Sequence, residues 1–565
     1  MSPLHHRSRR LSIRALRSVS LIPVLASWAI ACEAPAAGSG DAAEERIALY
    51  EDLGTLHHDI TTASPETQQY FDQGLRLTYG FNHAEAIRSF QAALAADPAC
   101  AMCWWGIAFA YGPNINAPMD SAAGVEAHRA IVEAQALAAN ASEAEQALIS
   151  ALARRYASPP PADRAALDSA WAIGIGEVSM RFRDDDDAAT LFADALMNLS
   201  PWNYWEPGPT PRPGTQTIVG TLERVLDRNP DHPGACHFYI PAVEAAYPER
   251  AVPCAERLGA LMPGAGHIVH MPAHIYVRVG RWADAITTNE HATHADEQHV
   301  GDMAPDALYR LGYVPHNFHF IWFAANMAGS SARSLRAAMD VAARVDTTLM
   351  RAPGLSALQH YLVTPLFAQV RFSRWDDILA APAPAADLVY PNGVRHYARA
   401  LALALAAQGQ LDQAEAELQA LQALMTEPWL KSELIWNINS PYAVLETAMH
   451  VAAGEIAAKR GDTEGAIRHL RAGVAVEDAM LYDEPPTWHL PVRHNLGAVL
   501  LAAGRAREAE TVYNEDLMKN PENGWSLFGL AGSLRAQGRV ADADAVMARF
   551  RAAWTLADVQ ITASR

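Results

Sequence analysis

Self-similarity at a fixed period constrains this chain more than any other feature. Gly74, Ala86, Phe90, Ala93 and Pro98 form an ordered set of small, aromatic and helix-ending residues. Trp104, Ala108 and Tyr111 open the next unit in the same register. Gly497, Ala509, Tyr513 and Pro521 repeat the set near the C-terminus, followed by Leu530, Ala531 and Gly538. Gly454, Gly461 and Ala466 mark a further unit, and Ala273, Tyr276, Gly280, Ala285 and Ala292 mark one in the middle. The spacing is that of a helix–turn–helix repeat of about 34 residues.

The physical reading is an all-α fold. Small residues stand where the two helices of a pair cross, large apolar residues fill the neighbouring slots, and proline ends the second helix. A single pair leaves an apolar face bare, so pairs must stack into an α-α superhelix. Composition agrees: 50% of the 565 residues are apolar, Ala and Leu dominate, and β-branched runs are scarce. The pattern is that of tetratricopeptide (TPR) repeats. Its organisation reads as N-terminal units over 57–116, a degenerate helical region with a long loop over 117–230, and central units over 231–345. Degenerate pairs over 346–446 and C-terminal units over 447–558 follow.

The first 31 residues read as a targeting segment. A basic stretch from His5 to Arg17 precedes an apolar stretch from Val19 to Ala31, too short for a comfortable span and holding Pro23. Ala31 before Cys32 resembles a lipoprotein cleavage site, and Ser8 to Arg14 resembles a twin-arginine export signal. This predicts an exported protein, periplasmic or anchored to the outer membrane by lipid on Cys32, with residues 32–56 as a flexible tether. The formal net charge is −19, and the leader carries five arginines and no acid. The remaining surface would repel phosphate backbones, which argues against a nucleic-acid partner. Cys100, Cys103, Cys236 and Cys254 suit two structural disulfides in an exported chain.

The histidines carry the functional signal. His267, His270 and His274 are spaced i, i+3 and i+7, one face of a helix. In the repeat register they fall at the second, fifth and ninth positions of a first helix, which face the concave groove where solenoids of this type bind ligands. His316 and His319 take the second and fifth positions in the next unit, and His237 and Glu244 line the preceding one. Adjacent first helices lie about 10 Å apart, so these imidazoles can meet. Imidazole is the commonest transition-metal ligand. The expected centre therefore holds a divalent zinc, copper or iron ion on His237, His267, His270, His274, His316 and His319, with Glu244 as ligand or general base. Pro241 and Pro272 should kink the helices beside it. His396 and Arg399 share a face that could hold an anionic group, and Trp202, Trp205, Trp488 and Trp525 could wall a pocket.

Phe81-Asn82-His83, Trp104-Trp105-Gly106, Gly112-Pro113-Asn114-Ile115-Asn116, His267 to His274 and Asn523-Gly524-Trp525-Ser526-Leu527 together resemble a group of secreted bacterial TPR proteins, from about His58 to Ala553. The resemblance implies the solenoid and the groove but no reaction. Similar sequences carry His where this chain has Pro241. Two functions fit: a metalloprotein, as hydrolase or oxidoreductase acting on a small molecule or peptide, or a non-enzymatic scaffold binding a peptide or protein partner in the groove.

Overall fold

The computed structural model describes residues 47–206, 208–299, 309–406 and 409–565. The targeting segment, Cys32 and the first part of the tether lie outside the described residues. Every regular element among the described residues is a helix, and extended pairings are isolated bridges such as Trp205 with Pro211. Successive antiparallel helices stack from Pro65–Tyr79 and His83–Ala96 to Gly524–Ala536 and Val540–Ala553. The chain is a TPR-like α-α superhelix.

The repeat register is visible as a clamp used at both ends. The Phe90 ring is buried between two glycines. A Cβ on Gly74 would lie 2.5 Å from it, and one on Gly106 would lie 2.6 Å from it. Near the C-terminus Tyr513 takes the same place, with Cβ positions of Gly497 and Gly529 at 2.4 and 2.1 Å. An aromatic side chain from the second helix of a unit is thus gripped by the first helices of its own and the next unit. Side-chain caps start the helices: Ser64 accepts from Thr67 N, Asn82 from Glu85 N, and Asn523 from Ser526 N. The degenerate regions form helices as well, among them Leu358–Arg371, Val389–Leu405 and Leu411–Leu424.

The superhelix closes on itself. Trp525 Nε1 donates to Asn326 O at 2.8 Å, Trp282 Nε1 donates to Pro521 O at 3.0 Å, and Asp558 accepts from Ser331 N and Ala332 N at 2.6 and 2.9 Å. The last two helices are therefore bound to the central units. The segment between helices Thr463–Ala479 and Val492–Ala502 turns inward: Glu484, Trp488 and His489 are buried, and His489 stacks on Phe367 at 3.9 Å between ring centres. At the other end Tyr50 N donates to Gln73 Oε1 and Gly264 N donates to Asp52 O, each at 2.8 Å.

Two expectations change accordingly. Residues 47–56 are not tether: Ile47 and Leu53 are buried, because this stretch covers an apolar face that the first helix pair would otherwise leave bare. The concave surface is not an open groove either, because the inward loop and the returning C-terminus fill it.

A candidate metal centre in the superhelix interior

The helix expected across His267–His274 is two helices, Gly266–His270 and Pro272–Arg278, joined at Met271. Pro272 has no N–H to continue the ladder, so the break falls between His270 and His274. Those two rings meet edge to face at 4.9 Å, and their Nε2 atoms are 3.0 Å apart. His316, on helix Val314–Met327, completes the group: one ring nitrogen from each of His270, His274 and His316 lies within 4.8 Å of the others. His270 is fully buried and His274 nearly so, while His316 is partly exposed and gives the group its side toward solvent.

The surroundings fix which nitrogen is free. Asn289 Nδ2 donates to Ala285 O at 2.8 Å, which leaves Asn289 Oδ1 to accept from His270 Nδ1 at 2.7 Å. With its proton on Nδ1, neutral His270 aims the Nε2 lone pair at His274. His237 is fixed the same way, since Nδ1 donates to Tyr79 O at 2.6 Å. His274 Nδ1 lies 3.1 Å from Glu244 Oε2, out of line for a formed hydrogen bond. Both Glu244 oxygens and both His267 nitrogens are buried without a hydrogen bond among the described residues. Each such atom costs about 1–3 kcal/mol if left so.

Electrostatics keep the cluster neutral. Burial pushes His274 down to about 3 and His237 down to about 4. It holds His267, His270 and His316 well below the ordinary imidazole value, and neighbouring imidazoles add to the effect. Neutral imidazoles are the metal-binding form. Burial also raises Glu244 to about 8, against the pull of the Arg278 guanidinium. Arg278 in turn faces Glu484 of the inward loop, Nε to Oε1 3.8 Å, and stacks over the Tyr482 ring at 5.4 Å.

The other expected ligands flank this group. His267 contacts His237 and His270, with ring centres 5.0 and 5.9 Å away, and is walled by Phe81 and Tyr313. His319 points the other way along the interior, stacking on Trp322 at 4.8 Å and meeting His360 at 5.8 Å. His396 and Arg399 are not an anion site, since both bind Glu417 at 2.6 Å, an acid of their own helix pair. Trp205, with Tyr247, Glu223 and Arg250, lines a separate cavity of about 290 Å³ by the long loop.

Asn289, Phe320, Tyr313 and Arg278 escaped the sequence reading. Each sits at an ordinary helical position, and only the stacking of neighbouring units brings it to the cluster. A second group, His58, Asp185 and Asp187, also has ligand-like spacing. There the partners are satisfied: Asp187 takes His58 Nδ1 at 2.8 Å, Tyr79 OH at 2.7 Å and His232 Nε2 at 3.2 Å, and His232 Nδ1 caps Ala235 N. That group is a structural knot.

No protein-family model and no curated protein matches the chain. Among solved structures it is similar to a human IFIT1 dimer with m7Gppp-AAAA, at 12% identity and TM-score 0.31 over 85% of this chain and 95% of that one. It is also similar to Naa15/Naa10 bound to HypK-THB, at 13% identity and TM-score 0.23 over 86% and 71%. A third is the APC/C hetero-tetramer Cut9-Hcn1, at 12% identity and TM-score 0.23 over 87% and 94%. The overlaps are loose, and the assignment of the fold rests on the chain's own helix packing.

Proposed function

We propose that this protein is an exported TPR-type metalloprotein that binds one divalent transition ion on His270, His274 and His316. The observation that carries the reading is the convergence of one ring nitrogen each from His270, His274 and His316 within 4.8 Å of one another, with His270 Nε2, its lone pair freed by the Asn289 hydrogen bond, 3.0 Å from His274 Nε2. Two nitrogens bound to one ion at about 2.0–2.1 Å each are separated by about 2.9–3.4 Å, from right-angle to tetrahedral geometry. The donor set suits zinc, copper or iron(II). Bound there, the ion would supply Lewis acidity or redox chemistry on the His316 side, where the cluster meets solvent. Glu244 Oε2, 3.1 Å from His274 Nδ1, is the carboxylate that would partner that ring in a carboxylate–histidine–metal triad. His267 and His237 line the wall behind. The test is metal analysis of the purified mature protein beside the H270A/H274A variant, with one ion per chain expected only in the parent.

The export reading rests on the sequence of the first 32 residues and is supported by the Cys100–Cys103 disulfide, while the other two expected partners, Cys236 and Cys254, are free and buried. Metabolic labelling with a radiolabelled fatty acid should mark the parent and not Cys32→Ser. Unlabelled parent protein contradicts the anchor. The scaffold alternative, with a peptide in the concave groove, is disfavoured by the loop that fills it.

A further inference from the structure

Beyond His319 the interior carries a second polar cluster with the opposite character, rich in donors and centred on a cation. Arg371 ends helix Leu358–Arg371 and is buried. Its guanidinium lies flat on the Trp525 face at 3.4 Å. One terminal nitrogen donates to His494 Nδ1 at 3.3 Å, and His494 Nε2 donates to Asp516 Oδ2 at 2.9 Å. Asp516 does not reach Arg371 directly, because Asn520, Asn523 and Ser526 take its remaining acceptor positions at 2.6–3.0 Å. The arginine is therefore held on two sides, and among the described residues no carboxylate is bound to it and Nε has no hydrogen-bond partner.

The groups around it can donate as well. Tyr397 OH, Trp488 Nε1 and both His489 nitrogens, one of which carries a proton in the neutral ring, are buried without a hydrogen bond among the described residues. They belong to one cluster: His489 lies 4.7 Å from Trp488 and 6.2 Å from Tyr397, and Tyr397 lies 5.5 Å from Trp488, between ring centres. His489 stacks on Phe367, one helical turn before Arg371. Arg371 acts electrostatically on both Tyr397 and His489. Glu455, which acts on Tyr397, is engaged by Asn495 Nδ2 at 2.8 Å and by Arg565. A buried guanidinium is stable when a negative charge with several acceptor oxygens meets it. Here the protein supplies the fork and surrounding groups able to donate, but among the described residues no carboxylate in contact with the guanidinium.

We infer that Arg371, Tyr397, Trp488 and His489 form a binding site for a small oxyanion or carboxylate, independent of the metal centre. The ligand class follows from the donor set: a group such as phosphate, sulfate or a short carboxylic acid can accept from guanidinium, indole, phenol and imidazole together. Trp525 and the Asp516–His494 pair position the arginine.

The experiment uses the full mature protein, dialysed against chloride and titrated separately with inorganic phosphate, sulfate and acetate at constant ionic strength. Native mass spectrometry and thermal unfolding are the readouts, and metal content is measured on the same samples. The expected result is saturable binding of one anion per chain with a rise in Tm. The anion that binds tightest separates inorganic oxyanion from carboxylate. Tyr397→Phe should weaken binding roughly tenfold while the fold and metal content stay as in the parent. Arg371→Lys should weaken it further, and Arg371→Met should abolish it. Absence of saturable binding to all three anions by the folded parent would show that the cluster holds water only and would overturn the site. So would unaltered affinity in folded Tyr397→Phe and Arg371→Lys. Loss of metal with anion binding intact would sink the metal reading and leave this one standing.

Discussion

At the scale of single residues, the account depends on which proton sits on which nitrogen. Asn289 holds the His270 proton on Nδ1, so Asn289→Leu should release the ring and weaken metal binding about 10–100-fold. Chelator competition on folded protein measures this, and unchanged affinity would remove Asn289 from the site. The knot at Asp187 makes a separate prediction. Burial disfavours charged His58, but the hydrogen bond and charge of Asp187 outweigh it and push His58 up to about 9. A pKa raised on folding stabilises fully below the ordinary value near 6.5, and the gain is lost as pH rises through about 9. Unfolding by urea should therefore show falling stability across that window in the parent. His58→Gln should be less stable at neutral pH and flatter above it. Parallel pH profiles for the two proteins would contradict the pairing. The i, i+3, i+7 spacing made His267, His270 and His274 legible from sequence, because a helix turns that spacing into one face. Asn289 was not legible: its partner ring is 19 residues away, on the other helix of the pair.

At the scale of elements, glycine and aromatic positions together define each unit. Phe90→Ala should cost about 3–5 kcal/mol, the range for deleting a large buried ring. Gly529→Val should do comparable harm from the other side, since a side chain there meets the Tyr513 ring at 2.1 Å and the two helices must part. Urea unfolding of both variants checks this, and a loss under 1 kcal/mol in either would show that the clamp is loose. These slots were readable because helix–helix contact within a pair is local in sequence. The break at Met271 was half readable. Pro272 announced a kink, but not that the kink would separate His270 from His274 and still leave their rings facing. His319 was placed correctly on its helix and with the wrong neighbours. Its ring meets Trp322 and His360 and not the three-histidine group, because it stands nearly one turn further along helix Val314–Met327 than His316.

At the scale of the whole molecule, closure turns a solenoid into an enclosed body. The pairs that close it are far apart in sequence: Trp525 and Asn326 are separated by 199 residues. No period reports such a contact, which is why an open groove was the natural expectation and a filled interior is the result. Closure also explains why His270 and His274, at positions usually found on a wet surface, are buried and neutral here. Trp525→Ala should loosen the seal, and amide exchange in helix Val314–Met327 should then speed up while the first helix pair stays protected. Uniform exchange across both regions would mean that the C-terminal units do not seal the interior. Elemental analysis decides whether the three histidines hold a metal. Mature protein, reconstituted with zinc, copper(II) or iron(II) in turn and then desalted, should retain one ion per chain, and H270A/H274A should retain none. A folded parent without stoichiometric metal in any of the three preparations, or equal metal in parent and variant, would contradict it.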